Sequence, residues 1–183
     1  MGPYLLVLIP GTIWVTGNAL LGAVVARALF AHAPAPMAPT GPDQITRTMA
    51  GQLFGDCLEV WYGIPLTVCC LLVCIGLGWL AGRAQAARRP LTSGALILAF
   101  VVLGFLHLQA KGTVTTVGQQ AEALRRATPA EAEALRPTFQ ASHHASESLV
   151  KLETAVVFLL VAGIAIAALR RRPVTDSPAP GPT

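Results

Sequence analysis

Apolar residues fall in four long blocks along this chain, roughly Tyr4–Ala26, Val60–Gly82, Thr92–Ala110 and Val150–Leu169. Each block approaches the ~20 residues that a helix rising about 1.5 Å per residue needs to cross a hydrocarbon layer. The apolar excess is gathered into these blocks instead of being spread as amphipathic stripes. The pattern therefore predicts membrane-spanning helices and not the half-buried helices of a soluble domain. The expected fold is all-α, an integral membrane antiparallel four-helix bundle.

Helical periodicity continues outside the second, third and fourth blocks, all on the same side. Ile45, Met49, Leu53, Asp56 and Val60 recur at i+3 and i+4, so a helix starting near Asp43 is expected to run into span two with one packed face. Pro65 is expected to kink it. Leu103, His107, Ala110, Val114, Val117, Ala121 and Leu124 trace one seam that carries helix three outward and aims His107 into the bundle. Thr128-Pro129-Ala130-Glu131 reads as a capping box with proline in the first helical turn. A short helix to Arg136 should follow, reset by Pro137, with the last helix starting near Thr138. Phe139, His143, Ser146, Val150 and Glu153 share one face of that helix. Helices two, three and four thus extend beyond the bilayer on one side. Residues 1–172 form one four-span domain, with 43–59 and 111–149 as its extramembrane helical part. The proline-rich Ala33–Pro42 reads as a loop, and residues 173–183 as a disordered tail.

Composition sharpens this picture. Of 183 residues, 54% are hydrophobic and only 12% charged, half the ~25% of a soluble domain. Arg83, Arg88 and Arg89 lie between spans two and three, and Arg170, Arg171 and Arg172 close span four. On the opposite side the bases are dispersed among acids. The tight arginine clusters place both termini in the cytoplasm, and the arginine-, alanine- and proline-rich usage points to a bacterial inner membrane. Short basic anchors beside spans are not a nucleic-acid signature, so the lipid bilayer is the expected partner, with a homo-oligomer or another membrane protein as further possibilities. Ala31-His32-Ala33 resembles a signal-peptide cleavage site, but the apolar run is too long, no basic segment precedes it and Pro34 follows. Span one is therefore expected to be retained.

The same topology collects Arg27, His32, Asp56, Glu59, His107, Lys111, His143, His144, Glu147, Lys151 and Glu153 at the extracytoplasmic end. Counted from the arginine ends, His107 and Glu153 fall at similar depth just inside the surface, where charges normally face the bundle and pair. Asp56, Glu59, His107, His143, Ser146, Glu147 and Glu153 form the candidate polar site. Asp56 with Glu59 and His144 with Glu147 are i,i+3 pairs, and His143 with Glu147 is i,i+4. Bundles hold Zn, Mn or Fe with such pairs, so His107, His143, His144 and Glu147 are the candidate metal ligands. The plainer reading is an ion-pair network, with Glu147 on Lys151, Glu59 on Lys111 and the histidines as hydrogen-bonding partners, and a proton or substrate relay is a third. Cys57, Cys69, Cys70 and Cys74 crowd one helix and read as free thiols, with Cys70 and Cys74 as a minor soft-metal option. Asn18, deep in span one, is expected to make an interhelical hydrogen bond. No phosphate loop, nucleophile elbow or His-Glu-x-x-His motif occurs.

Three short motifs carry a family resemblance. They are Trp14, Gly17, Gly22 and Phe30 in span one, Ala50-Gly51 with Phe54-Gly55 before span two, and Phe139, His143 and Ser146 before span four. Over Leu5 to Leu169 the chain resembles the bacterial branch of the transmembrane protein 205-like family. That likeness implies four membrane helices and no particular reaction. The chain departs from it at Val150 and Lys151, where members carry an asparagine, and in the loop after Phe30. The functional expectation is a membrane protein that handles an ion or small molecule, or serves as an accessory subunit. A metal-dependent membrane enzyme or redox protein is the alternative.

Overall fold

The structure is a computed structural model that describes residues 2–31 and 47–170. His32, the proline-rich segment, Asp43, Ile45 and the tail after Arg170 lie outside the described residues. Helix α1 spans Gly2–Ala19, a π-helical turn covers Leu20–Val25, and α2 spans Ala26–Ala31. Then follow α3 (Arg47–Tyr62), α4 (Ile64–Ala86), α5 (Pro90–Arg126) and α6 (Pro129–Arg170), with no strand among the described residues. Four stretches are long and apolar enough to cross a membrane, which makes this a multi-pass membrane protein.

The four long helices form the sides of a square. α1 packs on α4 and α6, and α5 packs on the same two from the other side, so every neighbour is antiparallel. Val7, Leu66, Val73, Leu77, Leu103 and Val157 fill the interior. α4 passes to α5 through a tight turn. The Arg89 N–H bonds Ala84 O and the Arg88 N–H bonds Gln85 O, both at 2.9 Å. Arg88 takes φ 54°, the left-handed position that glycine usually fills at a helix end. Pro90 then opens α5 in the first turn, where its missing N–H costs nothing.

Helix α5 runs unbroken through the expected seam. Leu103, His107, Ala110 and Val114 are buried, and Val117, Ala121 and Leu124 are partly so. It continues about 24 Å past Ala110, and α6 runs about 30 Å before Val150. The turn between them carries half of the expected capping box. The Thr128 N–H and hydroxyl both donate to Glu131 Oε2, at 2.8 and 2.7 Å. Those bonds hold the Glu131 carboxyl below its ordinary range, the hydroxyl contributing most.

Three expectations are corrected. Pro137 does not reset the chain, because α6 continues through it from Pro129 to Arg170. The proline is exposed, so water can satisfy the carbonyl that its ring leaves without a partner. Second, Pro65 does not kink a continuous helix. The helix ends outright at Gly63 and restarts at Ile64 with Pro65 in its first turn, because the proline cannot bond or clear the carbonyl four residues back. Third, the packed face of α3 is not the one carrying Met49, Leu53, Asp56 and Val60, all of which are exposed. Ala50 and Tyr62 are buried and Phe54, Leu58 and Trp61 partly buried, a face turned by about one residue, or ~100°. Aromatic fit decides it. Phe54 meets Phe30 edge-on at 6.5 Å, and the Trp61 ring lies flush on Gly17.

That last contact has no room for a methyl group, since a Cβ on Gly17 would overlap the Trp61 ring. Gly17→Ala is expected to destabilise the protein by about 1–3 kcal/mol. Gly104→Ala, which meets open space, should instead be neutral or stabilising by about 0.5–1 kcal/mol. Unfolding in mild detergent followed by tryptophan fluorescence checks both.

Candidate functional site

The break at Gly63 sets the site. It leaves Tyr62 as the last residue of α3, pointing into the bundle, and puts Thr67 one turn into α4. The Thr67 hydroxyl donates to Gly63 O at 2.5 Å, back-bonding to the carbonyl that caps the start of α4. On α5 and α6, His107 and Glu153 each lie about 26 Å from the arginine end of their helix. Antiparallel helices of equal register therefore bring them together. Glu153 is 0% and His107 3% exposed, and His107 Nδ1 lies 3.0 Å from Glu153 Oε1.

The second carboxylate oxygen accepts from the Tyr62 hydroxyl at 2.7 Å. Tyr62 also stacks on the imidazole, centroids 6.2 Å apart and planes at 12°, while Trp14 of α1 meets it edge-on at 5.3 Å. His107 Nε2 faces Thr67 Oγ1 at 3.3 Å, and Lys111 Nζ donates to the same oxygen at 3.3 Å. The result is a continuous chain, Tyr62–Glu153–His107–Thr67–Lys111, drawn from α3, α4, α5 and α6 and walled by α1.

The contacts of this chain allow two donor arrangements. With the Thr67 hydroxyl directed at Gly63 O, Oγ1 accepts from Lys111 and from a protonated Nε2. With the hydroxyl turned to Nε2, Nδ1 carries the ring proton and donates to Oε1. In both, the His107–Glu153 contact partners two ionisable groups at membrane depth with each other.

A second set of bonds leaves from adjacent residues. The Trp61 indole donates to Asn18 Oδ1 at 2.7 Å, and Asn18 Nδ2 donates to Thr154 Oγ1 at 2.8 Å. Asn18 therefore makes the interhelical bonds expected of it, tying α1 to α3 and α6. Tyr62, Thr67, Trp14, Trp61 and Thr154 were not singled out as site residues. Their depth, level with His107 and Glu153, is the signal that could have found them.

The remaining candidates do not join this chain. Asp56 and His143, expected to face inward, are exposed. Among the described residues, only α5 lies alongside α6 at the level of His143, because α3 packs on α5 and not on α6. His143 stacks instead on Phe139 of its own helix, at 5.9 Å and 17°. Ser146, on the α5-facing side, is buried. Glu59 is exposed beside Gly118 and makes no ion pair with Lys111, whose amine is turned to Thr67. Glu147 does pair with Lys151, at 2.6 Å, with His144 at 4.0 Å. The Lys151 bond holds the Glu147 carboxyl below its ordinary range. Its stabilising effect is present above that range and lost as the pH falls through the lowered pKa.

His107, His143, His144 and Glu147 do not assemble as a ligand set. His107 is buried against Glu153, while the other three project from exposed faces of α6. Among the described residues no three His, Cys, Asp or Glu side chains converge as metal ligands. Cys69, Cys70 and Cys74 are free and buried, and Cys57 is free and exposed. Two open hollows, of about 480 Å³ beside Ala123 and Leu135 and about 320 Å³ beside Thr12 and Trp61, touch none of the five residues of the chain. No family model, curated protein or solved structure matches this sequence.

Removing either end of the central pair should be costly. Glu153→Ala strands His107 and the Tyr62 hydroxyl, with an expected loss of about 3–5 kcal/mol. Tyr62→Phe removes one bond to the carboxylate and should cost about 1.5–3 kcal/mol. Glu147→Gln, on the exposed face, should leave the unfolding midpoint nearly unchanged. Thermal unfolding of the three variants in one detergent tests the order.

Proposed function

We propose that this is a multi-pass protein of the bacterial inner membrane with both termini cytoplasmic. In this reading the four-span domain covers residues 1–172, and its activity is ion handling: reversible binding of a proton at the His107–Glu153 pair from the extracytoplasmic side. The observation that carries it is the fully buried Glu153 carboxylate, bonded at one oxygen to His107 and at the other to Tyr62. A buried ionisable pair at membrane depth is costly to keep, and a proton passed between its two groups is the use that supports this reading.

Every group facing the pair fits the reading. α3 contributes Tyr62, α4 contributes Thr67, α5 contributes Lys111 through Thr67, and α1 contributes the Trp14 ring, with Asn18 bonded at the adjacent positions. Lys111 is partly exposed and gives the chain its outer end. Towards the arginine end the buried side chains include Val7, Val73, Leu77, Leu80, Ala81, Leu103, Val157 and Ile164; the Cys70 and Cys74 thiols reach about two turns inward, and Ser93 stands apart near the arginine turn. A proton entering from outside thus has no polar path onward. The protein acts as a proton-responsive component of the membrane and not as a channel in its monomeric form.

Gly63 offers a way to read out the bound proton. Tyr62 and Thr67 bracket this break, and both are bonded into the chain, so a change in the pair alters what holds α3 against α4. Infrared difference spectroscopy of the protein in bilayers, from about pH 9 to about pH 5, provides the test. Coupled changes in a carboxyl band and an imidazole band are expected, with Glu153→Gln removing the first and altering the second. A folded protein in which neither band moves over that range would refute proton binding and leave the pair a fixed cross-brace.

A further inference from the structure

Exposed apolar side chains give the bundle its belt, and the belt is uneven. On α5 it runs from Leu91 to Leu108 and on α6 from Leu152 to Leu169, about 26 Å each, close to the ~30 Å hydrocarbon core. Both belts stop one residue from His107 and Glu153. On α4 and α3 the exposed apolar positions reach farther: Ile75, Leu71 and Ile64 on α4, and Val60 and Leu53 on α3, recur at i+4 and i+7 spacing within each helix. Tyr62 is anchored to Glu153, so Leu53 stands about 13 Å farther out along α3, past the edge set by the other helices. At the inner end of the same face, Gly78 and Gly82 are exposed, with open space where a Cβ would lie.

Two exposed charges, one on α3 and one on the helix packed against it, are of opposite sign. Asp56 lies within the apolar stripe, between Leu53 and Val60, and Arg27 is exposed on α2, which packs against α3 through the Phe30–Phe54 contact. Neither forms an ion pair with a described residue. Pairing of two stripes about a two-fold axis would set Asp56 against Asp56 unless each met a base. An isologous interface supplies one, because a contact between Arg27 and Asp56 is made twice, once in each direction. We propose that a second copy of this chain covers the α3–α4 face, its axis along the membrane normal. Leu53, Val60 and Ile64 meet at the outer end, Gly78 and Gly82 allow close approach at the inner end, and Arg27 and Asp56 bridge reciprocally.

The chain carries its own probe. Cys57 is exposed within the stripe, while Cys69, Cys70 and Cys74 are buried. Mild copper-phenanthroline oxidation of the full chain in native membranes is expected to give a covalent dimer that Cys57→Ser abolishes. Arg27→Glu or Asp56→Arg alone should lower the dimer yield by about tenfold, since two pairs are lost at once, and the double swap should restore it. A folded protein that stays monomeric in bilayers, with lipid, residues 32–46 or a different protein over the stripe, would overturn the proposal. So would a dimer whose yield is unaffected by Val60→Lys and by both single charge reversals, because the copies would then meet elsewhere. These substitutions lie on exposed positions away from the His107–Glu153 pair, so failure here leaves the proton-binding reading standing and separately testable.

Discussion

A carboxylate sealed inside a membrane bundle constrains everything around it, and Glu153 is such a group. It has no solvent, so its two oxygens must be satisfied by side chains from other helices. His107 supplies one partner and Tyr62 the other, at 3.0 and 2.7 Å. Rotating α6 by one residue would swing the carboxylate by about 100° towards lipid or an apolar wall. Packing among alanines, valines and leucines tolerates many near-equivalent registers, because lipid is as apolar as the helices are. The Glu153 bonds do not. They fix the depth of α5 against α6 and the azimuth of α6, and through Tyr62 they fix where α3 ends.

Adjacent residues reinforce this. Trp61 and Tyr62 close α3, and Glu153 and Thr154 lie side by side on α6, so Asn18 of α1 ties the same two helices through the neighbouring positions. The Gly63 break is the price of aiming both aromatic residues inward while Pro65 starts a new helix. Thr67 then donates to the carbonyl that caps the new helix and faces both His107 and Lys111. The local irregularity and the buried pair are one structural device.

The four-span architecture was legible in the sequence because membrane helices announce themselves by length and hydropathy. The inward positions of His107 and Glu153 were legible too, since phase and depth agreed for both. Phase alone misled at Asp56 and His143. It says which residues share a face, and only the presence of a neighbouring helix makes that face buried. At His143 the bundle has thinned to α5 and α6, and on α3 the large aliphatics gave way to an aromatic face that fits Gly17 and Phe30. Tyr62 and Thr67 were hidden for a different reason. The Gly63 break shifts the helical phase between them, so no continuous periodicity links either one to the seam of α5.

The contrast between the two halves of the bundle bears most directly on what the molecule can do. Polar groups are bonded to one another at the end away from the arginine turn, and the other half is packed with valine, leucine, alanine and free thiols. A conducting protein would need a second set of acceptors between Glu153 and the arginine turn, within about 26 Å of helix. The three buried thiols are the nearest candidates, yet they extend only two turns inward from the pair. On the proposed reading, an ion taken up at Lys111 would therefore leave the way it came. What it would change is the bonding of Tyr62 and Thr67 on either side of Gly63, and so the attitude of α3, the helix whose apolar face stands clear of the membrane belt. The buried pair and the exposed stripe share that helix, so a proton bound at the pair would act on it directly.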